Sequence, residues 1–500
     1  MKRLVLMAAA GLLATGAEAS QELASQRFRE AREFQRSGQY FRAARYAFNA
    51  GEEDPDRKSE AHAWVAQALV QAGLEQSASY FYLQVVRSAN SDALRKVLPL
   101  TSKIAASVGL EFLRPFLARH TRLADYPASE RGYYLYSAAR TAGLKGDYAG
   151  ALAVLDSIPG SGPMRAELLQ LRAAFRLMTG ADRAAAGDFA ACSRAAKGGS
   201  DLENRCVAGE ARALYELREF DRAERVYERV DRQSIVWTDI LFEQGWNAYR
   251  RGEFNRTLGR LVSYKSPALS FVYNPEIDTL RAQAYLALCL YEDANEGVNE
   301  FNSRYAAIND EVRALLTEKG MSLGEFYDEG KEAALAPLGS KRPLHRLMNR
   351  FVRSAAFQDW VRSERELGVE LGNIRQFSAG IANLDPNSES FGAFLKKVLD
   401  FRLRAIREMG GAFVRNSLLD YHEQLIAQFE KVAFIKLEML GRFKEKLLSR
   451  KSSDGRERER GNVTPERRDD QFFWSFNGEF WNDELGDYVF GLESECDGKS

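Results

Sequence analysis

A unit of 34 residues recurs in this chain without a gap, at 204–237 and again at 238–271. The first copy places Ala211, Leu214, Phe220, Ala223 and Tyr227 where the second places Gly245, Ala248, Phe254, Thr257 and Leu261. Those offsets are where two antiparallel helices touch, and small side chains there let the backbones approach closely. Further copies read at 25–58, 59–92, 132–165, 166–203 and 275–308, which makes seven units. The stretch 93–131 is helical but off-pattern, punctuated by Pro99 and Pro115, and reads as a divergent helix pair. One helix pair cannot bury its own apolar face, so neighbours must stack to form a shared interior. The pattern therefore predicts an all-α solenoid.

Within each unit a fixed position falls in the turn between the two helices. Gly38, Gly73, Gly146, Gly180 and Gly252 occupy it, where a positive φ is needed. Two copies carry Arg218 and Cys289 instead, and looser turns are expected there. On these positions residues 25–308 resemble a tetratricopeptide array. The resemblance implies a groove lined mainly by the first helix of each unit, a surface that binds rather than catalyses. Outward positions on those helices are the candidate partner-binding residues: Arg27, Arg172, Arg176, Glu243 and Asn247.

The chain has 500 residues, too many for one core. It carries 70 Lys plus Arg against 70 Asp plus Glu. This balance argues against nucleic acid as a partner, since duplex binding needs a surplus of cations. Residues 1–19 read as a secretory signal: Lys2 and Arg3, an apolar run from Leu4 to Leu13, then Ala17-Glu18-Ala19. The apolar run is too short to span hydrocarbon, and no later stretch suffices, so an exported, periplasmic chain without a transmembrane span is expected. An oxidising compartment makes the four cysteines relevant. Cys192 and Cys206 flank the loop Lys197 to Ser200, and a disulfide there would staple adjacent helices. Cys289, in the apolar run from Tyr285 to Tyr291, reads as a buried thiol. Cys496 is left over, free or paired outside the solenoid.

Beyond the solenoid (20–308) the repeat is lost, but residues 309–450 keep apolar spacing of helical period in 309–335, 341–380 and 389–450. The last segment carries Phe391, Phe394, Leu395, Val398, Leu399 and Leu403, then Leu418, Leu419, Leu425, Phe429, Val432 and Ile435, with Gly410-Gly411 as a candidate kink. A helix folded against its own chain, a coiled coil with another chain and a basic membrane-surface helix are all compatible with that stripe. Residues 451–470 are mostly charged or small and read as a flexible linker. In 471–500 the composition turns aromatic, with Trp474, Phe476, Phe480, Trp481 and Tyr488 as candidate anchors. Asn477-Gly478 between aromatic runs signals a β-hairpin. Docking of this tail onto its own chain and docking onto a partner both remain open.

No known catalytic signature occurs, and His62, His120, His345 and His422 each stand apart, so no catalytic, metal or cofactor site is expected. The closing Gly498-Lys499-Ser500 lacks the earlier glycine of a phosphate loop. The tail sequence Gly478-Glu479-Phe480-Trp481 with Asp483-Glu484-Leu485-Gly486 and Tyr488 resembles exported envelope tetratricopeptide proteins of gliding deltaproteobacteria. That resemblance implies a non-catalytic scaffold with protein partners in the cell envelope, within a motility or trafficking complex. An accessory subunit regulating cell-wall synthesis enzymes would share the same architecture.

Overall fold

Each of the seven units becomes two helices joined by a short turn. They are α1 (Lys2–Arg36) and α2 (Tyr40–Glu53), then α3 (Lys58–Gln71) and α4 (Glu75–Ser88). The divergent stretch forms three short helices rather than a pair: α5 (Ser91–Val97), α6 (Thr101–Val108) and α7 (Leu110–His120). Pro99 ends α5 in a tight turn, as proline should, but Pro115 lies inside α7 and does not break it. The pairs resume with α8 (Arg131–Gly143) and α9 (Tyr148–Leu155), α10 (Arg165–Met178) and α11 (Asp182–Ala195), α12 (Asp201–Glu216) and α13 (Phe220–Tyr227). Last come α14 (Trp237–Arg250) with α15 (Phe254–Val262), and α16 (Pro275–Ala287) with α17 (Tyr291–Arg313). The computed structural model describes residues 2–318, 320–338, 340–381, 388–450, 463–465, 467, 469 and 472–496.

Six of the seven turns between paired helices, all but that at Gly180, close in one way. At Gly252 (φ 78°), Gly252 N–H donates to Tyr249 O at 3.0 Å and Glu253 N–H to Ala248 O at 2.9 Å. Arg218 and Cys289 take the same left-handed conformation, each with φ 59°. Their turns are not looser: Glu219 N–H reaches Leu214 O at 2.9 Å and Leu290 N–H reaches Tyr285 O at 3.0 Å. A residue with a Cβ gives up about 1–2 kcal/mol in that region. The closing hydrogen bonds and the packing of both helices hold it there.

Four helices follow the array: α18 (Leu323–Leu335), α19 (Pro343–Val352), α20 (Ala355–Ile381) and α21 (Ser388–Arg450). The chain divides into two compact units, each built from separated segments. One joins Met1–Thr179 to Ala355–Gly410, and the other joins Gly180–Ser354 to Gly411–Ser500. Gly410-Gly411 does not divide α21, which runs through it. Gly411 instead serves close packing, because a Cβ there would collide with the Leu323 backbone carbonyl.

In the first unit, α20 and the start of α21 lie over the second helices of the early repeats. Phe394 stacks near Phe48 (ring centroids 4.9 Å) and Phe81 (5.9 Å), and Phe377 near Phe41 (5.4 Å). Glu370 supplies what α4 lacks. The N-cap of α4, Leu74, has no side chain able to accept. The Glu370 carboxylate accepts the N–H of Gln76 (2.6 Å), the N–H of Ser77 (3.0 Å) and the Ser77 hydroxyl (2.8 Å). Two of the donors left over at a helix start are thus satisfied by a residue almost 300 positions away, with |i−j| of 294 and 293. Arg402 takes the core position beside Leu403, buried, with its guanidinium 3.6 Å from the Phe112 ring centroid.

Among the described residues no helix is long and apolar enough to cross a membrane. Of the charged segment, residues 451–462, 466, 468 and 470 lie outside the described residues, as do 497–500 with the Gly498-Lys499-Ser500 motif. No hairpin forms about Asn477-Gly478 in the described tail. Gly478 takes a positive φ (90°), but among the described residues no backbone hydrogen bond joins the two segments that flank it.

Candidate interaction surfaces

The tail forms a strap across the second unit, and a column of backbone and side-chain partners holds it. Gly486 N–H donates to Ser263 Oγ at 2.8 Å, and Arg260 donates to Gly486 O. Phe490 N–H reaches Asn255 O at 3.1 Å. The Asn255 side chain brackets Leu492, accepting its N–H at 3.0 Å and donating to its carbonyl at 2.9 Å. Further along, Glu495 N–H reaches Leu288 O at 2.9 Å. Cys289 and Cys496 then form a disulfide with their Cα atoms 5.0 Å apart. Cys289 is not the buried thiol expected from sequence, and Cys496, for which both a free and a paired state were open, is its partner: the strap carries Cys496 back to the α16–α17 turn, a proximity that a separation of 207 residues conceals. The expected Cys192–Cys206 disulfide is present, with Cα atoms 5.8 Å apart.

Two glycines make the close approach possible. A Cβ on Gly259 of α15 would strike the Tyr488 carbonyl, and one on Gly486 (φ 91°) would strike Leu241. Leu485 is buried in the core of α12–α14, and Phe480 and Tyr488 pack on its edge. On helix propensity alone, Gly259→Ala should stabilise α15 by about 1 kcal/mol. We expect the opposite sign, a loss of about 1–3 kcal/mol from overpacking against the strap, measured by urea unfolding. A stabilised variant would show that the strap does not sit on α15.

A half-buried carboxylate organises the polar side of this seat. Glu224 accepts from Gln244 (3.1 Å), Asn247 (2.8 Å) and Arg260 (3.0 Å). Arg260 in turn lies 3.6 Å from Asp487, and Arg232 pairs with Asp487 at 2.7 Å and donates to Asp483 O at 2.7 Å. Asn247, read from sequence as outward, is therefore buried and also donates to Phe220 O at 3.0 Å. Glu243 accepts a two-pronged contact from Arg212, at 2.9 Å and 2.6 Å. Burial, then the Glu243 carboxylate, hold the neighbouring Tyr227 hydroxyl well above the usual tyrosine value. Arg27 is half-buried, 3.6 Å from Glu30 and over the Tyr46 ring. Arg172 is half-buried and donates to Leu155 O at 3.4 Å, and Arg176 is half-buried. None of the five is exposed.

The tail aromatics divide by position. Phe480 and Tyr488 face the second unit, whereas Trp474 is 71% exposed and Trp481 58% exposed. Phe472, Phe473 and Phe476 are exposed with them. Phe476, Phe480 and Tyr488 touch one another with centroids 5.1 to 5.7 Å apart, which joins the exposed group to the seated one. Sequence reasoning missed Glu224, Asn255, Gly259 and Arg260. The available signal was Gly259, a poor helix former in the middle of a second helix.

The chain matches no known family profile and no curated protein. Among the solved structures it resembles is the tetratricopeptide-repeat domain of P58(IPK), at 17% identity over 69% of this chain and 98% of that one, with a TM-score of 0.19. Another is the Rap conjugation gene regulator of the plasmid pLS20 in complex with the Phr* peptide, at 11% identity over 66% and 94%, with a TM-score of 0.29. A third is Naa15/Naa10 bound to HypK-THB, at 13% identity over 84% and 61%, with a TM-score of 0.26. At such superposition scores these likenesses add nothing to the fold, which is read from the helices themselves.

Proposed function

We propose that this chain is an exported, non-catalytic scaffold that binds protein partners in the cell envelope, within a motility or trafficking complex. One observation carries the binding part: the exposed run from Phe472 to Trp481, held at the edge of a strap that is itself pinned by hydrogen bonds and a disulfide. Large exposed aromatics cost solubility unless something covers them, and a rigid aromatic anchor loses little entropy on binding. The signal-like sequence of residues 1–19 and the two disulfides support export. The likeness of the Gly478–Tyr488 segment to envelope gliding proteins supports the choice of complex.

The test is affinity purification from envelope fractions with crosslinking and mass spectrometry, comparing the native chain with Trp474→Ala/Trp481→Ala. Truncating an anchor aromatic costs about 2 kcal/mol or more, roughly 30-fold in affinity. We expect recovery of the partner to fall at least that far while the strap residues 485–496 stay protected from hydrogen exchange. Unchanged recovery would reject the aromatic anchor. Recovery of cell-wall synthesis enzymes in place of motility or trafficking components would reject the proposed complex.

A further inference from the structure

The distal part of α21 has two apolar faces. Leu425, Val432, Ile435 and Met439 are buried against the second unit. On the opposite side Ile426, Ala433, Leu437 and Leu440 form a second stripe, exposed throughout, with Leu437 at 67%, while the exposed Phe434 lies beside it, at the groove towards Tyr249 and Leu286. A helix apolar on both sides ordinarily has a neighbour on both. The outer stripe follows the alternating spacing of a coiled-coil seam: Ile426, Glu430, Ala433, Leu437, Leu440 and Lys444 are separated by 4, 3, 4, 3 and 4 residues.

Its two charged members decide what fits. Glu430 and Lys444 lie seven residues to either side of Leu437, both exposed and in line with it on the same face. A parallel copy of this helix would set Glu430 against Glu430 and Lys444 against Lys444. An antiparallel copy centred near Leu437 sets Glu430 against Lys444 at both ends. It also faces the small Ala433 towards the large Leu440, so that the leucines interdigitate. The stripe is thus self-complementary under a two-fold axis, the symmetry of most homodimers. We propose that this outer face of α21, residues 426–444, is an antiparallel dimerisation seam that takes a second copy of this chain. Charged residues within a seam set orientation and register through such pairing and through the cost of mispairing. This proposal stands apart from the aromatic anchor, since no residue is shared.

The experiment uses the full chain with Glu430→Lys, Lys444→Glu and the double variant, followed by sedimentation equilibrium over a concentration series. The native chain and the double variant are expected to dimerise. Each single variant brings like charges together at both ends and should weaken dimerisation at least 10-fold. An equimolar mixture of the two single variants should restore it, because the heterodimer matches unlike charges at both ends. That rescue also shows that both single variants are folded. A monomeric native chain at every concentration would overturn the proposal. Single variants that dimerise as well as the native chain would overturn it too, since neither a parallel seam nor a contact elsewhere would notice the exchange.

Discussion

Glu370→Ala is expected to destabilise the unit formed by the early repeats and α20 by about 2–5 kcal/mol. The substitution deletes no apolar packing of consequence. It strips the start of α4 of its only acceptor for the Gln76 and Ser77 N–H groups, which are buried beneath α20. A buried donor left without a partner costs about 1–3 kcal/mol, and there are two. The same change removes a carboxylate whose charge favours the Arg402 guanidinium, which burial already pushes down from its ordinary value. Urea unfolding followed by helical circular dichroism checks the magnitude. A loss below about 1 kcal/mol would mean that Glu370 does not cap α4.

The same residue makes a pH prediction. Burial pushes the Glu370 carboxyl up to about 7, against the pull of the Gln76 and Ser77 N–H groups and the Ser77 hydroxyl, which favour the ionised form. The folded chain therefore keeps this proton to a higher pH than the unfolded chain, whose glutamate titrates near 4.5. Between those values the folded state binds more protons, so this contribution is complete at low pH and is lost as pH rises through about 7. Glu370→Gln cannot ionise and serves as the reference. The stability of the native chain relative to that variant should fall by on the order of 3 kcal/mol from pH 4.5 to pH 7. A difference that rises with pH would show the carboxylate to be the preferred form throughout.

Cys496→Ser is expected to have an effect of similar size by a different route. The Cys289–Cys496 bond closes a segment of 207 residues. In the chain-entropy account a loop of that length contributes about 5 kcal/mol, near the upper end of what disulfides deliver. The loss should be largest where the strap is seated. Hydrogen exchange at Gly486, Phe490 and Leu492 should quicken, since their N–H groups are held by Ser263 and Asn255 on the face that the bond clamps. Cys192→Ser, which opens a separation of 14 residues, should cost less, about 3 kcal/mol, and leave strap exchange unchanged. Equal losses from the two variants would argue against the strap as a clamp.

Much of the helical frame was legible because it is local. The period that aligns Ala211 with Gly245 and Phe220 with Phe254 reports contacts between helices adjacent in sequence. Turn chemistry was legible for the same reason, although Arg218 and Cys289 show that position outweighs residue type when the flanking helices are anchored. The Cys192–Cys206 bond was readable because its span is short. What failed depended on which side chains meet in space, which spacing along the chain does not report. Asn247 carries the polar character of an outward residue, yet it is drawn inward by Glu224 across 23 positions. The hairpin signal at Asn477-Gly478 is a real turn preference, and Gly478 does take a positive φ, but the strand pairing it would need is not made, and the chain is held instead further along, at residues 486–495.

From the sequence alone came the all-α repeat, its unit length, the turn positions and the aromatic character of the tail, because these rest on spacing and backbone preference within a few tens of residues. The tertiary structure alone decided that Glu370 caps α4, that Gly259 admits the strap and that Cys289 meets Cys496. Those contacts join residues some two to three hundred positions apart. No local preference encodes them, and they exist only once the stacked helices have brought their surfaces together.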